Sequence, residues 1–406
     1  MRVRRKRGRH RRRKDRTLPL GSAVIVASAV AGVYLTASPD GAQAVPSTVY
    51  VAPSGSDSKA GTLASPFRTL EKAFSVAEAG TTIEVRRGTY YPARTLRSSV
   101  DGTKRERVEL RPYDGEKVRI DGSRLRTGSA LVALSGDYWT VSGLELRNAP
   151  GGGLVCTSCS QDVFHSLTTR DNGDTGLTLR GAGTTDNVIR NLDSSGNHDA
   201  ATGGQRADGI ALTHGSGTGN VITGSRLYHN SDDGVDLWMW ASPVTIEHSW
   251  AYGNGENRWR IPGFTGDGSG FQLGADRVAA PSPAHVVRSS AAWSNSKSGF
   301  AAGGNTGDLR IQRSTAFGNA RKGFDLDGTH ARLRSNLSVS NGGAKADMGR
   351  FAVSEGDNWT PGARPSPPFV TTDPTTAYGS RRQDGSLPVT SFLVVMDSTP
   401  LGSPMK

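Results

Sequence analysis

Asn295-Ser296-Lys297-Ser298-Gly299-Phe300-Ala301 is followed, after the short strand-like run Leu309-Arg310-Ile311-Gln312, by Asn319-Ala320-Arg321-Lys322-Gly323-Phe324-Asp325. The same phrase recurs between residues 160 and 345: a β-branched strand, an asparagine, a turn, then glycine followed by alternating apolar residues. Strands such as Asn187-Val188-Ile189-Arg190, Asn220-Val221-Ile222-Thr223 and Pro243-Val244-Thr245-Ile246 each run to an asparagine. Asn172, Asn197, Asn230, Asn254, Asn295, Asn319 and Asn341 close the copies, and Gly176, Gly209, Gly234, Gly270, Gly299 and Gly323 open the next strands.

Strands this short, with no helical periodicity between them, fit a solenoid of stacked parallel sheets rather than a sandwich. Asparagine at each corner is expected to take the left-handed backbone and to bond to the asparagine of the next coil. After each glycine the side chains alternate. Leu177, Ile210, Val235, Phe271, Phe300 and Phe324 should stack inside, and the outward column should read Thr178, Ala211, Asp236, Gln272, Ala301, Asp325. Ahead of the repeat, Leu70, Ala73, Phe74 and Ala77 at helical spacing predict an amphipathic helix over the open end of the first coil.

The formal charge of +12 belongs mostly to the leader. Residues 1–16 hold eleven Arg or Lys against Asp15, and residues 45–406 carry only +3. The basic start, the uncharged stretch Leu18 to Ala37 and Ala42-Gln43-Ala44 read as an export signal over residues 1–44, with an uncleaved membrane anchor as the other reading. The expected product is secreted and monomeric, with no nucleic-acid partner, since the high pI disappears with the leader. Residues 45–354 form the solenoid. Past residue 355, Pro361, Pro365, Pro367 and Pro368 predict an irregular tail packed along it. Cys156 and Cys159 cannot complete a zinc site by themselves, so a local disulfide or two buried thiols is expected.

Equivalent residues of successive coils lie about 4.8 Å apart, which brings Asp208, Asp232, Asp233 and Asp236 together on two neighbouring coils. Like charges so placed need a cation, and hard oxygen ligands on a rigid sheet favour calcium. Two Asn-to-Gly steps, Asn197 to Gly209 and Asn254 to Gly270, are longer than the rest and flank this cluster. The second carries Arg258, Trp259 and Arg260, fork donors and an aromatic face suited to uronate carboxylates and sugar rings, or loop residues without a ligand. Trp238 and Trp240 read as sugar platforms or as buried packing. A serine hydrolase is disfavoured because no Gly-x-Ser-x-Gly occurs.

The run Ala207-Asp208-Gly209, then Asn230-Ser231-Asp232-Asp233-Gly234-Val235-Asp236-Leu237-Trp238, then Gly268-Ser269-Gly270-Phe271-Gln272-Leu273-Gly274, resembles the core of the family-nine polysaccharide lyases. The resemblance implies a right-handed parallel β-helix. It also implies calcium held by the four aspartates, an acidic polysaccharide as substrate, and β-elimination from a galacturonate residue of pectate. In that family a lysine in Gly-Phe-Lys-Leu-Gly takes the C5 proton; here the catalytic position is Gln272, whose amide cannot take up a proton near neutral pH. Two function classes therefore stand: a secreted lyase, and a non-catalytic calcium-dependent polysaccharide-binding β-helix.

Overall fold

The computed structural model describes residues 47–275, 282–363, 367–396 and 400–405. The basic leader and the Ala42-Gln43-Ala44 pattern lie outside these residues.

Among the described residues the strands form three parallel sheets: twelve strands from Thr48–Val51 to Val353–Glu355, ten from Leu96–Ser98 to Ala346–Met348, and ten from Gly88–Tyr90 to Leu337–Val339. Ten coils contribute one strand to each sheet, with the first and last of the twelve strands outside them, so the chain winds as a right-handed parallel β-helix. The first coils begin well before residue 160, where the sequence phrase is too irregular to read.

Inside, the alternation predicted after each glycine is realised. Leu177, Ile210, Val235, Phe271, Phe300 and Phe324 are fully buried. The rings of Phe271, Phe300 and Phe324 stack with centroids 4.9 Å apart, which is the coil spacing itself. Burying one such ring contributes roughly 1.5–3 kcal/mol. The outward register also follows, with Thr178 beside Ala211, Ala211 beside Asp236, Asp236 beside Gln272, and Gln272 beside Ala301.

The asparagines form one continuous ladder. Nδ2 of Asn172, Asn197, Asn230, Asn254, Asn295 and Asn319 each donates to Oδ1 of the asparagine in the following coil, at 2.9–3.1 Å. The backbone is not as expected, however. The left-handed residue is the one before each asparagine: Asp171, Gly196, His229, Gly253, Ser294, Gly318 and Ser340 all have φ between 53° and 66°. That turn aims the asparagine side chain into the wall, where its two ends meet the coils on either side. The asparagine is selected for hydrogen bonding, not for tolerance of positive φ.

The helix Leu70–Val76 is capped by Thr69, whose hydroxyl accepts from Lys72 N. Leu70, Ala73 and Phe74 are buried, and Phe74 lies 5.7 Å from Trp139 at the start of the core. Cys156 and Cys159 are joined in a disulfide. Beyond residue 367 the chain has one 3₁₀ turn, Pro374–Tyr378, and places Leu387, Phe392, Leu393 and Met405 against Trp250, Tyr252 and Trp293. No described helix is long and apolar enough to cross a membrane.

Candidate active site

The strands of the second sheet bring the aspartates together through their glycines. A side chain at Gly209, Gly234 or Gly270 would collide with the next coil, since a Cβ there would sit 2.5–2.7 Å from the carbonyl oxygen of the following glycine. Close approach of bare backbone therefore lets the residue before each glycine reach its counterpart one coil away. Asp208 and Asp233 occupy that position in consecutive coils, and Ser269 and Ser298 continue the column.

Carboxylate oxygens of Asp208, Asp232 and Asp233 all lie within 4.8 Å of one another, and the three residues are buried. Their positions are fixed by donors. Thr175 Oγ1 donates to Asp208 Oδ2 (3.0 Å), and Asp233 N donates to Asp208 Oδ1 (3.1 Å). Asp267 N donates to Asp232 Oδ1 (2.7 Å), and Ser269 N to Asp233 Oδ1 (2.5 Å). Asp236, from the outward column, adds a fourth carboxylate whose Oδ1 is buried with no hydrogen-bond partner.

Burial, and then the neighbouring carboxylates, hold the Asp208, Asp233 and Asp236 carboxyls well above the ordinary range. Asp232 is pushed up to about 6, chiefly by burial. Lys297, paired with Asp267, acts on Asp232 as a cation. Three clustered carboxylates with a fourth beside them, one oxygen orphaned, are hard donors of the type a calcium-type ion takes, with further oxygens completing its shell. The residues fit such an ion.

The two longer turns pack on each other beside this cluster. Thr265 N donates to Gly203 O (2.8 Å), and Gly204 lies so close to the Phe264 ring that a Cβ would meet it at 2.4 Å. Between them and the sheet runs a groove of about 790 Å³ that crosses several coils, from Val155 to Gln272. The aspartates line it together with Arg180, Thr213, His214 and Trp238. Trp238 is 43% exposed, with the His214 ring 4.7 Å away, edge to face. Trp240, by contrast, is fully buried.

Arg258 and Arg260 are placed elsewhere. Neither lines the groove; Arg258 pairs with Glu256 at 2.7 Å, and Trp259 stacks on His198. The guanidinium groups that do line it are Arg180 and Arg206. Arg180 was within reach of sequence reasoning. It sits two residues past the outward column, at the same offset from Gly176 that Trp238 has from Gly234. Arg206 and Asp267 lie inside the inserted turns, where no periodicity marks them.

The sequence matches the Pel9A-like right-handed β-helix region over residues 49–336. The chain belongs to this family. It is 36% identical to pectate lyase PEL9 of Emericella nidulans, over 87% of this chain and 94% of that one. Pectate lyase L of Dickeya dadantii is 29% identical over 84% and 82% of the two chains. Among solved structures, pectate lyase Pel9A superposes with a TM-score of 0.76 at 28% identity, over 87% of this chain and 90% of that one. A rhamnogalacturonan lyase also reaches 0.76 at 24% identity, covering 88% and 99%, a likeness of fold. Family membership carries the coarse chemistry, that of a polysaccharide lyase.

Proposed function

We propose that this chain is an exported lyase that cleaves pectate or a related polyuronate by β-elimination, with calcium held by Asp208, Asp232, Asp233 and Asp236. The observation that carries the reading is three carboxylates within 4.8 Å of one another, with Asp236 and its orphaned oxygen beside them, along a groove of about 790 Å³. Bound there, calcium would pair with the uronate carboxylate and make the C5 proton easier to remove. In the elimination the C5 proton passes to solvent, the C5–H electron pair forms the C4–C5 double bond, and the electron pair of the C4–O bond leaves with the glycosidic oxygen, which takes a proton from water.

The chain's own residues set the geometry. Arg180 and Arg206 offer fork donors to uronate carboxylates of neighbouring sugars. Trp238, held against His214, offers an apolar face to a sugar ring. Export rests on the basic, apolar and small-residue order of residues 1–44.

Gln272 favours a second reading, calcium-dependent polysaccharide binding without turnover, because its amide does not accept the C5 proton. Absorbance of unsaturated uronate product on a panel of acidic polysaccharides, with and without calcium, separates the two. Product on one polyuronate that vanishes with chelator supports the lyase. Binding to the same polymer with no product supports the second reading.

A further inference from the structure

The buried side-chain oxygens without a hydrogen-bond partner among the described residues are Asp236 Oδ1, Ser269 Oγ, Gln272 Oε1 and Ser298 Oγ. All four sit on three successive coils of the second sheet. The remaining partnerless polar atoms are ring nitrogens of Trp240, His285, Trp293 and Trp359. A buried acceptor left unpaired is costly, about 1–3 kcal/mol each, so a run of them confined to one place marks something that belongs between them.

Asp236 and Gln272 are direct lateral neighbours in the sheet, so their outward side chains leave the backbone about 4.8 Å apart. The orientation of the Gln272 amide is set by its nitrogen. Nε2 donates to Gly274 O (3.3 Å), an acceptor that an amide oxygen could not face. The same nitrogen lies against Gly303 of the following coil, at 2.2 Å from where a Cβ would stand. Oε1 is left without a partner, in the groove that Asp236 also lines. Neither Asp236 Oδ1 nor Gln272 Oε1 receives a donor from the described residues, which suits a cation.

Resting on the calcium reading above, we propose that Gln272 is itself an oxygen donor to the bound cation, so that the site reaches a third coil through an amide carbonyl. Where the family's lysine would repel a cation, glutamine adds a neutral ligand and leaves the proton-accepting role empty. Ser269, whose backbone N–H already holds Asp233 while its own hydroxyl is fully buried and unpaired, lies in the same coil and belongs to the same extension.

Calorimetry with calcium, and the luminescence lifetime of bound europium in light and heavy water, test this on wild type, Gln272→Leu and Gln272→Met. Either replacement fills the slot without an oxygen, and circular dichroism identifies the folded one. Loss of a ligand should weaken calcium roughly tenfold and admit one more water to the europium ion. Equal affinity and an equal water count in wild type and a folded variant would overturn the proposal while leaving the four-aspartate site standing. If wild type binds neither ion, the calcium reading fails and this inference with it.

Discussion

Arg381 lies 188 positions from Asp193 in the chain, yet its Nη2 and Nε both donate to Asp193 Oδ1, at 2.7 and 3.1 Å. Arg226 approaches the same carboxylate from the next coil, through Nε (2.8 Å) and Nη2 (2.7 Å). Burial alone would raise the Asp193 carboxyl; the two guanidiniums outweigh it and hold the group below the usual range. Arg381 also donates to the carbonyls of Leu192 and Gly224. The tail is thus fastened to the solenoid wall by an ion triad, in addition to its apolar contacts.

Arg381→Ala should cost about 2 kcal/mol, less than breaking an isolated buried pair because Arg226 still neutralises Asp193. Guanidinium unfolding at neutral pH measures the loss, and limited proteolysis should cut first within the tail. Cleavage at wild-type rates would show that the apolar contacts of Phe392 and Leu393 hold the tail without the triad.

Removing one of the clustered carboxylates should have opposite effects with and without metal. Asp233→Asn relieves repulsion among buried like charges, so the metal-free protein should melt at a higher temperature than wild type. The same variant should lose the calcium-induced rise in melting temperature, which for wild type at one hundred times Kd corresponds to about 2.7 kcal/mol. Unchanged calcium affinity in Asp233→Asn or Asp233→Ala would remove Asp233 from the site.

A lysine in place of Gln272 should supply a base. Gln272→Lys places an amine beside the cation and near Arg180 and Arg206, which lowers its proton affinity and leaves a fraction able to accept a proton. At saturating calcium the elimination rate on polygalacturonate should rise about tenfold or more, the low end of what a general base supplies. Rapid turnover by wild type, unchanged in Gln272→Lys and Gln272→Ala, would place the base elsewhere.

Asp162 should make the fold less stable at high pH. Burial pushes its carboxyl up to about 8. Its Oδ1 accepts from Trp139 N (2.7 Å), and its Oδ2 lies 3.2 Å from Cys156 Sγ. That sulfur is in a disulfide and has no hydrogen to give, so this contact does nothing to stabilise the ionised carboxylate. A group whose folded pKa is raised contributes stability fully below its unfolded pKa, near 3.9, and loses it as pH climbs through about 8. Melting temperature should therefore fall between pH 5 and 9 more steeply in wild type than in Asp162→Asn, with the variant the more stable at pH 9. Parallel curves would show that Asp162 stays ionised in its pocket.

The sequence exposed what repeats and concealed what does not. Asn254, Gly270 and Phe271 declare a coil even though an insertion separates the first two, because the inward column and the ladder admit few alternatives. The four aspartates were legible for the same reason: their offsets from Gly209 and Gly234 put them on one face. Arg206 and Asp267 were not, since an inserted turn has no period and its path depends on contacts such as Gly204 with Phe264. Arg258 and Arg260 were chosen for their chemistry, but the turn directs them out of the groove, where Glu256 takes up the first. The left-handed position was assigned one residue late because asparagine is a common left-handed residue, while here Ser294 and Ser340 take that conformation and the asparagines after them make the bonds.

The asparagine ladder has a direction. In every described rung from Asn172 to Asn319 both the backbone N–H and the Nδ2 group donate to the asparagine of the following coil, never to the preceding one. Each Nδ2 group from Asn230 to Asn319 also bonds back to a carbonyl of the coil before, so a completed coil is already tied down while its ladder N–H still lacks the asparagine of the next. A chain halted after any coil presents that open ladder donor to whatever strand arrives next, its own or a neighbour's.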